Sequence, residues 1–149
     1  RIRLRRDPRN EPPISELGFD PLLGLPSPKR FVERLGRRTG TMKGVLMDQS
    51  FAAGVGNWIA DEVLYQAGID PRRRANTLDE QERLAVRRAL RVVVRKAVDV
   101  DADKSRFPRN WLFHVRWGKN LRARAAGGEA VQFLTVGGRT TAWVPARQR

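Results

Sequence analysis

The sequence predicts a mainly α domain that ends in a small β-hairpin. Apolar residues recur at three- and four-residue spacing in several separate stretches, which is the helical period. Two strand-like runs flank Gly137-Gly138 near the C-terminus, and Gly-Gly between such runs signals a two-residue hairpin turn. Of the 149 residues, 40% are hydrophobic, enough apolar material for a core, so wholesale disorder is excluded. This length holds one ordinary domain, or a helical body with a small appendage.

In chain order, Arg1 to Asp7 alternates as a strand would and reads equally well as a solvated basic arm. Pro8, Pro12 and Pro13 make Pro8 to Pro13 a linker. Ser27-Pro28 starts a helix, with Ser as N-cap and Pro in the first turn; Phe31, Val32 and Leu35 form its inner face. Thr41 to Gly68 reads as two short helices joined by a glycine-punctuated turn. Val45, Leu46 and Met47 give the first its apolar side, and Ile59, Ala60, Val63, Leu64 and Ala67 the second. Gly68 closes this helix, and Pro71 forbids its restart. Thr77 or Asp79 caps a long helix to about Val98, with Ala85, Val86, Ala89, Leu90, Val93, Val94 and Ala97 as its apolar stripe. Its arginines, among them Arg83, Arg87, Arg88, Arg91 and Arg95, are expected to be a solvated face. Trp111, Phe113, His114 and Trp117 are expected to cluster, with His114 packed or hydrogen-bonded. Val131 to Val136 and Arg139 to Val144 are the hairpin strands.

Charge narrows the partner. Lysine and arginine number 30 against 16 acids, a net charge of +14. That calls for a polyanion, and nucleic acid is favoured over a membrane surface, which would want a longer basic amphipathic helix with bulky apolar anchors. No apolar run approaches a membrane span, and no signal peptide is visible. With no cysteine, disulfides and thiolate metal sites are excluded.

Ala53-Gly54-Val55-Gly56-Asn57 is the stretch that points to a site. Gly54 and Gly56 are expected to take positive φ and let a partner approach the backbone. Asn57 reads as the N-cap of the next helix, with Asp61 and Glu62 in or near its first turn, where acids suit the dipole. Neighbouring helix residues point about 100° apart, so these two acids do not form a converging catalytic pair. Asp48 reads as a structural hydrogen-bonder near the turn. A helix start behind a glycine turn in a basic chain is a phosphate seat, and Lys43 is expected to add a phosphate contact from the preceding helix.

The same stretch resembles the helix-two-turns-helix of the formamidopyrimidine-DNA glycosylase and endonuclease VIII family. Leu46, Asp48, Gln49, Gly54, Gly56, Asn57, Ala60, Asp61, Glu62 and Leu64 match that family's Leu-x-Asp-(Gln/Asn), Gly-x-Gly-Asn and Ala-(Asp/Ser)-Glu-x-Leu pattern. The hairpin continues the likeness. Most members carry a zinc finger whose last strand reads Arg-x-Thr-x-(Tyr/Phe)-Cys-x-x-Cys-Gln. Arg139-Thr140-Thr141-Ala142-Trp143-Val144-Pro145-Ala146-Arg147-Gln148 fits that register, with Val144 and Arg147 in place of the cysteines. One histidine and no thiolate cannot build the roughly four-ligand zinc site, so a metal-free finger is expected, held by Trp143, Phe133 and the aromatic cluster. Ser105 to Lys119 is most similar to plant and fungal members.

The resemblance implies a helix-two-turns-helix domain over residues 15–105 and a zincless finger over 106–149, after residues 1–14 as the end of an upstream domain and its linker. It implies damaged double-stranded DNA as partner, with Asn57, Arg139, Gly54, Gly56 and Lys43 at the phosphates; a guanidinium suits bidentate phosphate contact. It implies the DNA-binding half of a base-excision-repair DNA glycosylase and abasic-site lyase that acts on oxidised bases. The family's nucleophile, an N-terminal proline amine, and its helper glutamate and lysine have no counterpart at Arg1-Ile2-Arg3, so no catalytic residue is assigned. The expectations are no cofactor, no metal, no membrane, a monomer, and a nuclear location if the source is eukaryotic or cytoplasm and nucleoid otherwise. The rivals are a non-catalytic DNA-binding protein derived from that family and a ribosomal RNA-binding protein.

Overall fold

The computed structural model of the chain describes residues 6–149. Its helices are α1 (Pro28–Gly36), α2 (Met42–Met47), α3 (Asn57–Ala67) and α4 (Glu80–Asp99), and its strands are β1 (Gln132–Val136) and β2 (Arg139–Trp143). The strand expected over Arg1–Asp7 falls, for residues 1–5, outside the described residues. Pro8–Pro13 forms turns with no regular element.

α3 is the axis of the molecule. Every residue from Ala60 to Tyr65 is buried, because α2, α4, β2 and the turn at Leu112–His114 all pack on this helix. The positive φ of 74° at Gly68 ends the helix, as its sequence predicts. α4 starts at a capping box, Asp79 with Glu82, and buries Val86, Ala89, Leu90, Val93 and Ala97 against α3 and α1.

A chain segment at Gly18-Phe19 braces the loop that precedes α3. The Gly18 N–H donates to the Gln49 carbonyl (2.7 Å), the Phe19 N–H to Phe51 (3.3 Å) and the Ala53 N–H to Phe19 (3.0 Å). Phe19, Phe31 and Phe51 then meet edge to face, with centroids 5.3–6.0 Å apart.

β1 and β2 are antiparallel, with Val136 opposite Arg139. Gly137 and Gly138 both take positive φ, 58° and 73°, which is the two-residue turn that matches strand twist. A small second core of Tyr65, Leu112, Ala123, Ala125, Val131, Ala142 and Val144, with Phe133 at its margin, joins the hairpin to α3. This corrects the expected glue. Phe107, Trp111 and Phe113 belong to the helical core, and Trp143 is covered by the Arg72 guanidinium, 4.5 Å from its ring centroid. The aromatic cluster itself forms as expected: Phe113 meets His114 and Trp117 edge to face at 5.8 and 5.3 Å, and the His114 ring nitrogen hydrogen-bonds at the Pro108 carbonyl (3.1 Å), although His114 is exposed and Trp117 is 53% exposed. Val144 is fully buried. The Arg147 guanidinium lies 4.8 Å over the Tyr65 ring and donates to its hydroxyl (3.0 Å). β2 stops at Trp143 because the Val144 N–H donates to the Gln148 side chain (2.7 Å).

A Cβ at Gly18 would sit 2.2 Å from the Phe51 carbonyl oxygen, against backbone that cannot yield cheaply. Gly18→Ala is therefore expected to cost about 1–3 kcal/mol in urea unfolding. An unchanged unfolding midpoint would contradict the bracing.

Candidate nucleic-acid interface

The loop between α2 and α3 is wired by two side chains. The Asp48 carboxylate accepts from the Ser50 N–H (2.9 Å) and hydroxyl (2.7 Å), the structural part expected of it. The Gln49 amide spans the turn, accepting from the Gly54 N–H (2.8 Å) and donating to the Val55 carbonyl (3.1 Å). Gly54 takes φ +79° and is exposed. Gly56 differs from expectation. Its φ of −100° is open to any residue, and a Cβ there would meet nothing within 4 Å. No contact among the described residues requires glycine at that position.

Asn57 is the first residue of α3 rather than its cap. Gly56 is the cap and offers no side chain, so no side-chain acceptor closes this helix start. The first N–H groups of a helix have no intrahelical acceptor, so here they remain available at a half-exposed edge. The Asn57 Nδ2 reaches across to the hairpin and donates to the Thr140 carbonyl (3.1 Å), while its Oδ1 is buried without a partner. Arg139, next to Thr140, is exposed beside the Gly137-Gly138 turn. The structure thus brings Gly54, Gly56, Asn57 and Arg139 to one region where α3 begins and the hairpin ends.

Lys43 does not join them. It is fully buried, and its ammonium donates to the Asp61 carboxylate and to the Asn57 carbonyl (2.9 Å). Burial pulls this ammonium below the usual lysine value, and the Asp61 charge acts against that pull. A side chain so enclosed has no reach to a phosphate. Lys43 instead supports the turn from beneath.

Asp61 and Glu62 also differ from the dipole role expected of them, because α3 begins too early for either to lie in its first turn. Asp61 accepts from Lys43, from the Arg116 Nε (3.1 Å) and Nη2 (2.7 Å), and from the Ala142 N–H of β2 (3.2 Å). Glu62 accepts from the Phe113 N–H (2.9 Å) and the Gln66 amide (2.9 Å). Burial pushes the Glu62 carboxyl up from 4.5 to about 7, opposed by those hydrogen bonds. The missed signal is a lysine inside the apolar run Met42-Val45-Leu46 and an acid pair inside Ala60-Val63-Leu64. A charge within a buried stripe needs a partner. The partners Arg116, Thr140 and Ala142 are distant in sequence, and no local pattern marks them.

The model of the formamidopyrimidine-DNA glycosylase H2TH domain matches residues 17–109. The chain belongs to that family. A formamidopyrimidine-DNA glycosylase of Arabidopsis thaliana is 45% identical over 149 residues, which is the whole of this chain and 38% of the relative. One from Thermus thermophilus is 34% identical, covering 97% of the chain and 58% of the relative. The chain thus spans less than two-thirds of the curated relatives it matches. Among solved structures, the Lactococcus lactis Fpg in complex with abasic-site DNA superposes with a TM-score of 0.75 at 26% identity, over 90% of this chain and 52% of that one. MutM in complex with carbocyclic 8-oxo-G DNA gives 0.76 at 27%, over 90% and 51%. The two solved structures share this chain's fold over 90% of its length. Among the described residues no helix is long and apolar enough to cross a membrane.

The Glu62 environment predicts a pH signature. The unfolded chain releases this proton near pH 4.5 and the folded one near 7, so the folded state binds more protons and stability falls as pH rises through that window. Glu62→Gln is expected to flatten this part of the curve in urea denaturation. A slope as steep as the parent's would contradict the assignment.

Proposed function

We propose that this chain is the DNA-gripping part of a base-excision-repair DNA glycosylase and abasic-site lyase acting on oxidised bases in duplex DNA. The Asn57-to-Thr140 hydrogen bond is the observation that carries the reading, because it ties the uncapped start of α3 to the strand that presents Arg139. In this reading the free N–H groups behind Gly54 and Gly56 seat one backbone phosphate, as helix starts do for anions. The Arg139 guanidinium takes a second phosphate from the hairpin side. Gly56 is compatible with it: glycine is a favoured N-cap, and the open space at its Cβ leaves room for a partner to approach the backbone.

The proposal includes a finger held without metal, with Val144 packed and Arg147 stacked on Tyr65 where zinc ligands stand in most of the family. It also includes action as a monomer, and division of the chain at residues 15–105 for the helix-two-turns-helix and 106–149 for the finger. Duplex DNA with an abasic site is the ligand to test, since solved relatives of similar fold hold such DNA.

Asn57→Ala and Arg139→Ala are each expected to weaken abasic-duplex binding by about 1–3 kcal/mol with helix content intact, measured by fluorescence anisotropy and circular dichroism. Parent-like affinity in both variants would remove the site. The logarithm of affinity should fall against the logarithm of salt with a slope of about −0.9 per phosphate neutralised. Gly56→Ala should keep the helix content by circular dichroism, since poorer capping and a less flexible unfolded chain oppose each other, and still weaken duplex binding; unchanged binding would show that nothing approaches that backbone.

A further inference from the structure

Between Phe19 and α1, a short turn holds two leucines out in water. The Asp20 carboxylate accepts from the N–H groups of Leu22 (2.7 Å) and Leu23 (3.1 Å), and the Gly24 N–H donates to the Asp20 carbonyl (2.8 Å). Pro21 is buried under the turn, and the Arg87 Nε donates to the Pro26 carbonyl (2.8 Å), fixing its far end. Leu23 is nevertheless 84% exposed and Leu22 37%. A lone exposed leucine is ordinary. Two leucines on a hydrogen-bonded turn with a groove on either side form a preorganised surface.

The two grooves differ in chemistry. One, of about 280 Å³, lies between these leucines and Arg87, Arg91 and Arg95 of α4. The other, of about 310 Å³, is mainly apolar, places Leu22 beside Val94 and Val98, the latter 50% exposed, and borders Gly54 of the loop before α3. Arg91 and Arg95 are one turn apart on α4, as are Val94 and Val98, so a basic stripe and an apolar stripe run side by side. Arg91 and Arg95 make no ion pair among the described residues.

We propose that this ridge and its two grooves dock an acidic amphipathic segment of a protein partner. Its apolar side chains would cover Leu22, Leu23 and Val98, and its carboxylates would pair with Arg91 and Arg95. Charge complementarity selects an acidic partner, and the leucines select protein over nucleic acid. A phosphate backbone would satisfy the arginines and leave the leucines in water, whereas an amphipathic helix laid in a groove buries both kinds of group.

The test is fluorescence anisotropy with a labelled helical peptide that has leucines on one face and glutamates on the other. Two controls replace the leucines by serines or the glutamates by glutamines. The parent chain should bind the first peptide and each control about tenfold more weakly. Leu23→Ser and the double variant Arg91→Gln/Arg95→Gln should each lose about tenfold for the peptide; Leu23→Ser should keep abasic-duplex affinity within about twofold and the arginine variant should lose much less for duplex than for peptide, with circular dichroism unchanged. Absent binding, or equal binding of either control, would overturn the proposal. So would a loss of duplex affinity in the arginine variant as large as its loss for peptide, which would assign the stripe to DNA.

Discussion

One buried carboxylate governs the shape of this molecule. Asp61, on the central helix, accepts from Lys43 of α2, from Arg116 in the chain before the hairpin, and from the Ala142 N–H of β2. Three segments far apart in sequence therefore converge on two oxygen atoms with no exposure to water. Removing one partner of a buried ion pair costs roughly 3–5 kcal/mol, because the remaining charge has no solvent. The group that satisfies Asp61 from the hairpin side is a backbone N–H, which sets the position of β2 rather than of one mobile side chain. The second core around Tyr65 then fills the space between helix and hairpin.

Part of the chain's positive charge is used within the fold. Many of its arginines are engaged internally. Arg116 belongs to Asp61, Arg73 pairs with Glu82, Arg38 with Asp48, Arg72 covers Trp143, and Arg87 holds the Pro26 carbonyl. Net charge draws a polyanion from a distance, and most of the remaining arginines and lysines among the described residues are exposed. At the start of α3 the backbone N–H groups behind Gly56 have no side-chain cap, and Arg139 stands exposed beside the Gly137-Gly138 turn.

The elements were legible in the sequence because they obey local rules. The capping of α4 by Asp79, the end of α3 at Gly68 and the Gly137-Gly138 turn each follow from residues within a few positions. The convergence of Gly54, Asn57 and Arg139 was legible only through the family resemblance, since the Asn57-to-Thr140 bond spans most of the chain. Lys43 shows why composition misleads at a single residue. A lysine beside a phosphate seat invites a surface role, yet one turn of α2 faces the core, and the acid that neutralises it lies on another helix. Gly56 is the reverse case, a glycine read as conformational whose φ is ordinary and whose open side faces away from the chain.

Asp61 holds the hairpin in register with the start of α3. Backbone hydrogen exchange of an Asp61→Asn variant tests it most directly, followed residue by residue beside abasic-duplex affinity. The account predicts faster exchange at Ala142 and its β1 partner strand, nearly parental exchange through α4, and weaker DNA binding in the same variant. Parental protection of the hairpin, or uniform loss of protection across hairpin and α4 alike, would contradict it.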